Sequence, residues 1–224
     1  MMHRVKTICL ALIAMFALCV VASASASAAE LPEFTVETAG TVTNGEVEFT
    51  SKGGEIKCAK STGSTTEGLT QSTYTISFKT CVELTLGEGS ECHSLGDPSG
   101  TILTGGTWRL VGGRGNTSIW AMAPSELHIE CKNKSGTTML LMLLQGDVAG
   151  SITPRGVRTG RFSIRVSTKG EAKIEQEDPG YENDEGKEVG AKLEWSIDSK
   201  SLEPVGDNAG EIELATEKET EIVK

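Results

Sequence analysis

The chain is short of the residues that most enzymes and nucleic-acid binders rely on. Histidine occurs three times in 224 residues, and one of these, His3, lies in the first few residues. A Ser/His/Asp site would therefore depend on His93 or His128. Basic residues number 21 against 31 acids, giving a net charge of −10. A surface for phosphate backbones or anionic membranes needs a surplus of Lys and Arg, so this balance argues against both. Aromatic residues make up only 4%. The three tryptophans, Trp108, Trp120 and Trp195, are too scattered to form an obvious sugar-stacking platform, and they read as core anchors. No run beyond the first thirty residues shows the 3.6-residue apolar period of an amphipathic helix.

The longest apolar stretch is at the start. A basic head with Arg4 and Lys6 precedes the fifteen residues Ile8–Ala22, and a small-residue tail runs from Ala22 to Ala29. This is the pattern of a secretory signal peptide with A-x-A cleavage options. The run is shorter than the ~20 residues of a membrane-spanning helix. We expect residues 1–29 to be a signal peptide and residues 30–224 a single domain without a transmembrane segment. Loss of Arg4 and Lys6 takes the net charge from −10 to −12. The expected location is extracellular or at the cell envelope.

Export changes the meaning of cysteine. Cys9 and Cys19 leave with the signal, and Cys58, Cys81, Cys92 and Cys131 remain. In an oxidising compartment four cysteines imply two disulfides, with three possible pairings. Cys81 closes one strand and Cys92 follows a Gly-rich turn, so a hairpin would join those two. Cys58 and Cys131 end similar alternating runs and would form a long-range bridge. The alternative is Cys58–Cys81 with Cys92–Cys131. Zinc competes on paper, through Cys92, His93, His128 and Cys131, but the spacing matches no common finger or ribbon.

Alternation of period two recurs almost throughout. Tyr74, Ile76 and Phe78 share a face, as do Phe162, Ile164 and Val166, with Arg161, Ser163 and Arg165 opposite. Asn44-Gly45 is a turn signal. Pro124 separates two strand pieces. Met139–Leu144 is continuously apolar and suits a strand buried on both faces. Ala172–Gln176 reads as a hairpin partner for the strand containing Phe162. About ten short strands and frequent glycine (26 residues) predict an all-β fold. Within it we expect an antiparallel β-sandwich braced by two disulfides, with an open β-barrel as the alternative.

Several blocks resemble a group of uncharacterised exported actinobacterial proteins. They are the start Leu31-Pro-Glu-Phe34, the segment Phe49-Thr-Ser-Lys-Gly-Gly54 leading to Ile56-x-Cys58, and Phe78-x-x-Cys81. Cys92, Ile129-x-Cys131 and Gly146-x-Val-x-Gly150-x-Ile-Thr-Pro154 follow. The resemblance covers most of the chain after the signal. It implies a common fold and disulfide framework and brings no activity with it.

Motifs for chemistry are missing. There is no G-x-S-x-G elbow and no P-loop; Gly112-Gly-Arg-Gly lacks the Lys-Ser/Thr pair. His93-Ser94 with Asp97 forms a possible cluster, set in a turn beside a cysteine. Asn116 and Asn133 begin glycosylation sequons, without meaning in a bacterial source. Carboxylates crowd the segment Glu175–Glu188. Asp178, Glu182, Asp184 and Glu185 within it are the candidate calcium ligands, although their spacing misses the D-x-D-x-D-G loop. A solvated charge cluster is the plainer reading. No catalytic residue is assigned, and no cofactor beyond that calcium. The expected function is a secreted, non-enzymatic, monomeric module that binds an extracellular or envelope ligand or serves a structural role. The alternative is a carboxylate-dependent hydrolase of envelope or extracellular polysaccharide, which needs two acids ~5–10 Å apart in a cleft.

Overall fold

The computed structural model describes residues 31–51, 54–85, 89–113, 117–168, 181–182, 188–189, 193–198, 203–204 and 208–223. Among them are eighteen strands, numbered β1 to β18 in chain order, and no helix. The proposed signal peptide and Ala172–Gln176 lie outside the described residues. So do Asp178, Asp184, Glu185 and the side chain of Glu182.

Eight strands close a ring. In chain order these are β2 (Thr38–Asn44), β4 (Gly54–Gly68), β5 (Gln71–Glu83) and β7 (Thr101–Gly113), then β8 (Thr117–Pro124), β11 (Val148–Thr153), β12 (Thr159–Thr168) and β17 (Asn208–Thr220). Around the ring the order is β7-β8-β11-β12-β17-β2-β4-β5, and β5 pairs back to β7 from Gln71↔Arg109 to Lys79↔Thr101. All eight contacts are antiparallel. The walls that the sequence suggests as two facing sheets are thus opposite sides of one closed barrel. The all-β, doubly disulfide-braced fold is as read.

A second layer grows from the same strands. The first part of β4 pairs with β3 (Val47–Ser51). The last part of β5 pairs with β6 (Ser90–Ser94). The sheet continues through β9 (Leu127–Lys132), β10 (Thr138–Gly146), β15 (Leu193–Ile197) and β16 (Glu203–Pro204). Two strands serve two layers because their inward parity slips at the junction. On β4 the buried positions change from Ile56 and Cys58 to Ser61 and Thr65, with Ala59 and Lys60 both exposed between them. On β5 they change from Tyr74 and Ile76 to Cys81 and Glu83. Thr80, between them, has φ 55°, a left-handed conformation that β-branched residues rarely enter. Bends of this kind are how strands pass from one layer to another.

The disulfides lie in this second layer as Cys58–Cys81 and Cys92–Cys131. This corrects the Cys81–Cys92 and Cys58–Cys131 pairing favoured from local spacing. The physical reason is register. Cys58 stands directly opposite Cys81, and Cys92 directly opposite Cys131, each with Cα atoms 4.0 Å apart. Cys81 and Cys92 do lie on adjacent strands, β5 and β6, but their sulfurs are engaged by the outer neighbours.

A second correction concerns Met139–Leu144, which is not buried on both faces. Leu140, Met142 and Leu144 point into the core, whereas Met139 and Leu141 are exposed. The run lies on one side of a single outer layer, so only alternate residues find cover.

The end of the barrel away from the second layer is plugged. A short ribbon of β1 (Glu33–Phe34) and β18 (Ile222–Val223) contributes two buried side chains, Phe34 and Ile222. Phe34 meets Trp108, Trp120 and Phe162 at centroid distances of 6.1, 6.3 and 5.4 Å. Trp108 and Trp120 stack at 4.2 Å. Two of the three tryptophans are therefore core anchors, as expected; the Trp195 side chain is outside the described set. Gly63 shows how tight the barrel wall is: a Cβ there would lie 2.3 Å from the Thr75 carbonyl oxygen.

Candidate functional site: an apolar cavity under the second layer

Above the tryptophan floor the barrel is not filled to the top. Its wall there carries Ile76, Val166 and Ile212, and the second layer lowers Ile129, Met142 and Leu144 towards it. Between them lies a cavity of about 100 Å³. The cavity lies where the two cores meet, and Phe78 and Val148 are the partly buried side chains that pack against both.

The lining is almost wholly aliphatic. Its polar members are Asn44, Ser61, Tyr74 and Thr104, and it contains no Asp, Glu, Lys, Arg or His. Asn44 and Ser61 face each other across β2 and β4 in the level nearest the second layer. Tyr74 and Thr104 lie deeper. Thr104 opposes Ile76, and Tyr74 opposes Gly106, two pairs short of Ser72↔Trp108. Burial pushes the Tyr74 phenol well above the usual tyrosine range. Thr104 lies near enough to offset part of this, and Asp147 adds to it. Thr104 Oγ1 is itself buried with no aligned hydrogen-bond partner.

The residues singled out in the sequence fall elsewhere. His93 follows Cys92 on β6 and so lies on the opposite face from the disulfide. Its Nε2 is 3.5 Å from Glu130, which is also paired to Lys132 at 2.8 Å and bonded by the Thr138 hydroxyl. Those donors hold the Glu130 carboxyl below its usual range, with Lys132 first among them. Ser94 is not positioned against His93. Its hydroxyl donates to the Leu103 carbonyl at 3.1 Å and accepts from the Leu103 amide at 2.6 Å. The backbone amide of Asp97 bonds to Ser94 in a turn. The possible cluster is therefore a strand end and its turn: the Ser94 hydroxyl is bonded to the Leu103 backbone rather than to His93, and His93 Nδ1 is buried without an aligned partner. His128 is exposed and 3.4 Å from Glu126. Cys92 and Cys131 are bridged and offer no thiolate to zinc.

Among the described residues, Glu211 and Glu213 are carboxylates that share a groove, on the outer barrel wall. Glu83 is fully buried, but it sits in the second layer and accepts the Thr85 amide at 2.8 Å together with the Thr85 hydroxyl. No group of three or more His, Cys, Asp or Glu able to hold a metal occurs among the described residues. A wider groove of about 810 Å³ runs along the outer wall over β12 and β17. Its carboxylates already have partners, with Arg161 3.2 Å from Glu213 and the Ser163 hydroxyl donating to Glu211.

The cavity leaves little mark in the sequence. Its traces are small: a threonine at an inward position of β7, and serine and glycine at inward positions of β4, where a filled barrel would carry large apolar residues. Comparison of the chain with protein-family models, with curated proteins and with solved structures finds no match in any of the three.

Proposed function

We propose that this protein is an exported, non-enzymatic binding module that holds a small apolar molecule in the cavity between its barrel and its second layer. The carrying observation is the lining: an aliphatic enclosure with a few placed polar groups and no acid, base or nucleophile suited to catalysis. A dry apolar cavity of ~150 Å³ holds benzene; at about 100 Å³ this one sets a single small ring or a short alkyl chain as the upper limit. Export is supported by the leader-like first twenty-nine residues and by two buried disulfides. Among the described residues no helix is long and apolar enough to cross a membrane.

Thermal unfolding of residues 30–224 with a panel of small hydrophobes tests this reading. A ligand at a hundred times its Kd adds ~2.7 kcal/mol, or roughly 5–10 °C for a domain of this size. Val148→Phe, which fills the space where the two cores meet, should remove the shift while the fold persists. A panel without any shift, or equal shifts in the filled variant, would end the proposal.

A further inference from the structure

We infer that the ligand carries one neutral hydrogen-bonding oxygen, held by Thr104 and Tyr74 at the deep end of the cavity, with its apolar body directed towards the second layer. This rests on the cavity reading above. Three observations carry it.

The first is that Thr104 Oγ1 is buried at the cavity beside the Tyr74 phenol, yet no bond between them is aligned. A buried hydroxyl left unsatisfied is unfavourable, so the site as it stands favours any guest that supplies the missing bond. The second is the neighbour. Tyr74 is buried 94% from solvent, at a relative exposure of 6%, and its phenol lies beside Thr104. A carbonyl or hydroxyl oxygen between the two could accept from both. The third is the distribution of polarity. Towards the second layer the lining is Ile129, Met142, Leu144 and Leu193, which offer contact and no hydrogen bonds. The second layer thus contributes only apolar contact, and the polar side chains at its level, Asn44 and Ser61, belong to the barrel wall.

The head must be neutral. No charged side chain lines the cavity to compensate an ion. Moving a carboxylate or ammonium into such surroundings without a partner is strongly unfavourable. The chemical class is therefore a small alcohol, phenol or ketone rather than a fatty acid or an amine.

Phenol and toluene make the test, because they differ by hydroxyl against methyl in one shape; benzoate supplies the charged arm. Binding to residues 30–224 is followed by titration calorimetry in the wild type, Thr104→Val and Tyr74→Phe. We expect Thr104→Val to weaken phenol roughly three- to tenfold, the worth of one hydrogen bond, and to leave toluene within about twofold. Tyr74→Phe should act in the same direction, and it keeps the test open if Thr104→Val does not fold. Benzoate should not bind measurably. Toluene binding with phenol unchanged in both variants would overturn the polar anchor and leave the cavity reading intact. Benzoate binding as tightly as phenol would overturn neutrality. Failure of both phenol and toluene to bind the wild type would overturn this inference and the proposed function together.

Discussion

The plugged half of the barrel and the second layer share β4 and β5 but are held together by different means. The plugged half is filled with rings: Phe34 meets Trp108, Trp120 and Phe162, the two tryptophans stack, and no disulfide crosses it. The second layer is filled with aliphatic side chains and carries both covalent bridges. It is also where packing is incomplete. Rings packed edge to face close space efficiently. An open sheet laid over a barrel mouth closes it less well, and covalent links let that region keep an empty volume without relying on contact alone. The contrast suggests a division of labour in which one half secures the fold and the other can host a guest.

The sharpest way to break this comparison is Phe34→Ala. The ring is 2% exposed and joins the terminal ribbon to three aromatic neighbours. Truncating a buried Phe costs ~3–5 kcal/mol. Urea unfolding should show a loss of that order for the whole molecule. A cost under about 1 kcal/mol, typical of a surface substitution, would mean that the plug does not organise the barrel.

Removing one bridge should act next most strongly and more locally. Cys92 and Cys131 are 39 residues apart, and Cys58 and Cys81 are 23 apart. Chain entropy then assigns roughly 4 and 3.4 kcal/mol to the two links. In Cys92→Ala/Cys131→Ala, amide exchange should quicken mainly in β9 and β10 and leave β12 and β17 protected. Equal loss of protection in all four strands would show that the two regions unfold as one unit.

These differences explain what could be read in advance. The alternation of Phe162, Ile164 and Val166 against Arg161, Ser163 and Arg165 reports a half-buried strand because one face is wet and one dry, and that holds whatever the strand packs against. The same alternation cannot tell a sandwich from a closed ring, since both hide every second residue. Closure depends on the pairing of β5 with β7, a long-range choice that leaves no local mark. Local spacing favoured Cys81–Cys92 because adjacent strands bring those two close, as they do. Cross-strand register decided the outcome, setting Cys58 opposite Cys81 and Cys92 opposite Cys131, while the parity slip at Ala59–Lys60 and Thr80 puts Cys58 and Cys81 on the buried side of the second layer. Nothing in a period-two pattern announces that slip. The cavity was hidden for a related reason: a void is defined by residues from strands distant in sequence, and each of them is ordinary by itself.

Tyr74 tests the boundary between the two halves with the smallest expected effect. It belongs to the barrel core and also lines the cavity. Burial raises its folded-state pKa well above the usual range, so the native protein retains the phenol proton at pH values where the unfolded chain releases it. The sign follows from proton binding. Below the ordinary tyrosine value of about 10 both states are protonated, and the group contributes no pH dependence. Above it the unfolded state is the one that ionises, and stability falls by at most about 1.4 kcal/mol per pH unit until the folded state ionises too. Urea unfolding midpoints at pH 9 and pH 11 should therefore separate further for the wild type than for Tyr74→Phe. Lysines titrating in the same range affect both proteins alike and cancel in the difference. If the two proteins lose stability equally, Tyr74 is in contact with water in the native state. The barrel would then be open at the level of the cavity floor, and its two halves would be less distinct than the packing implies.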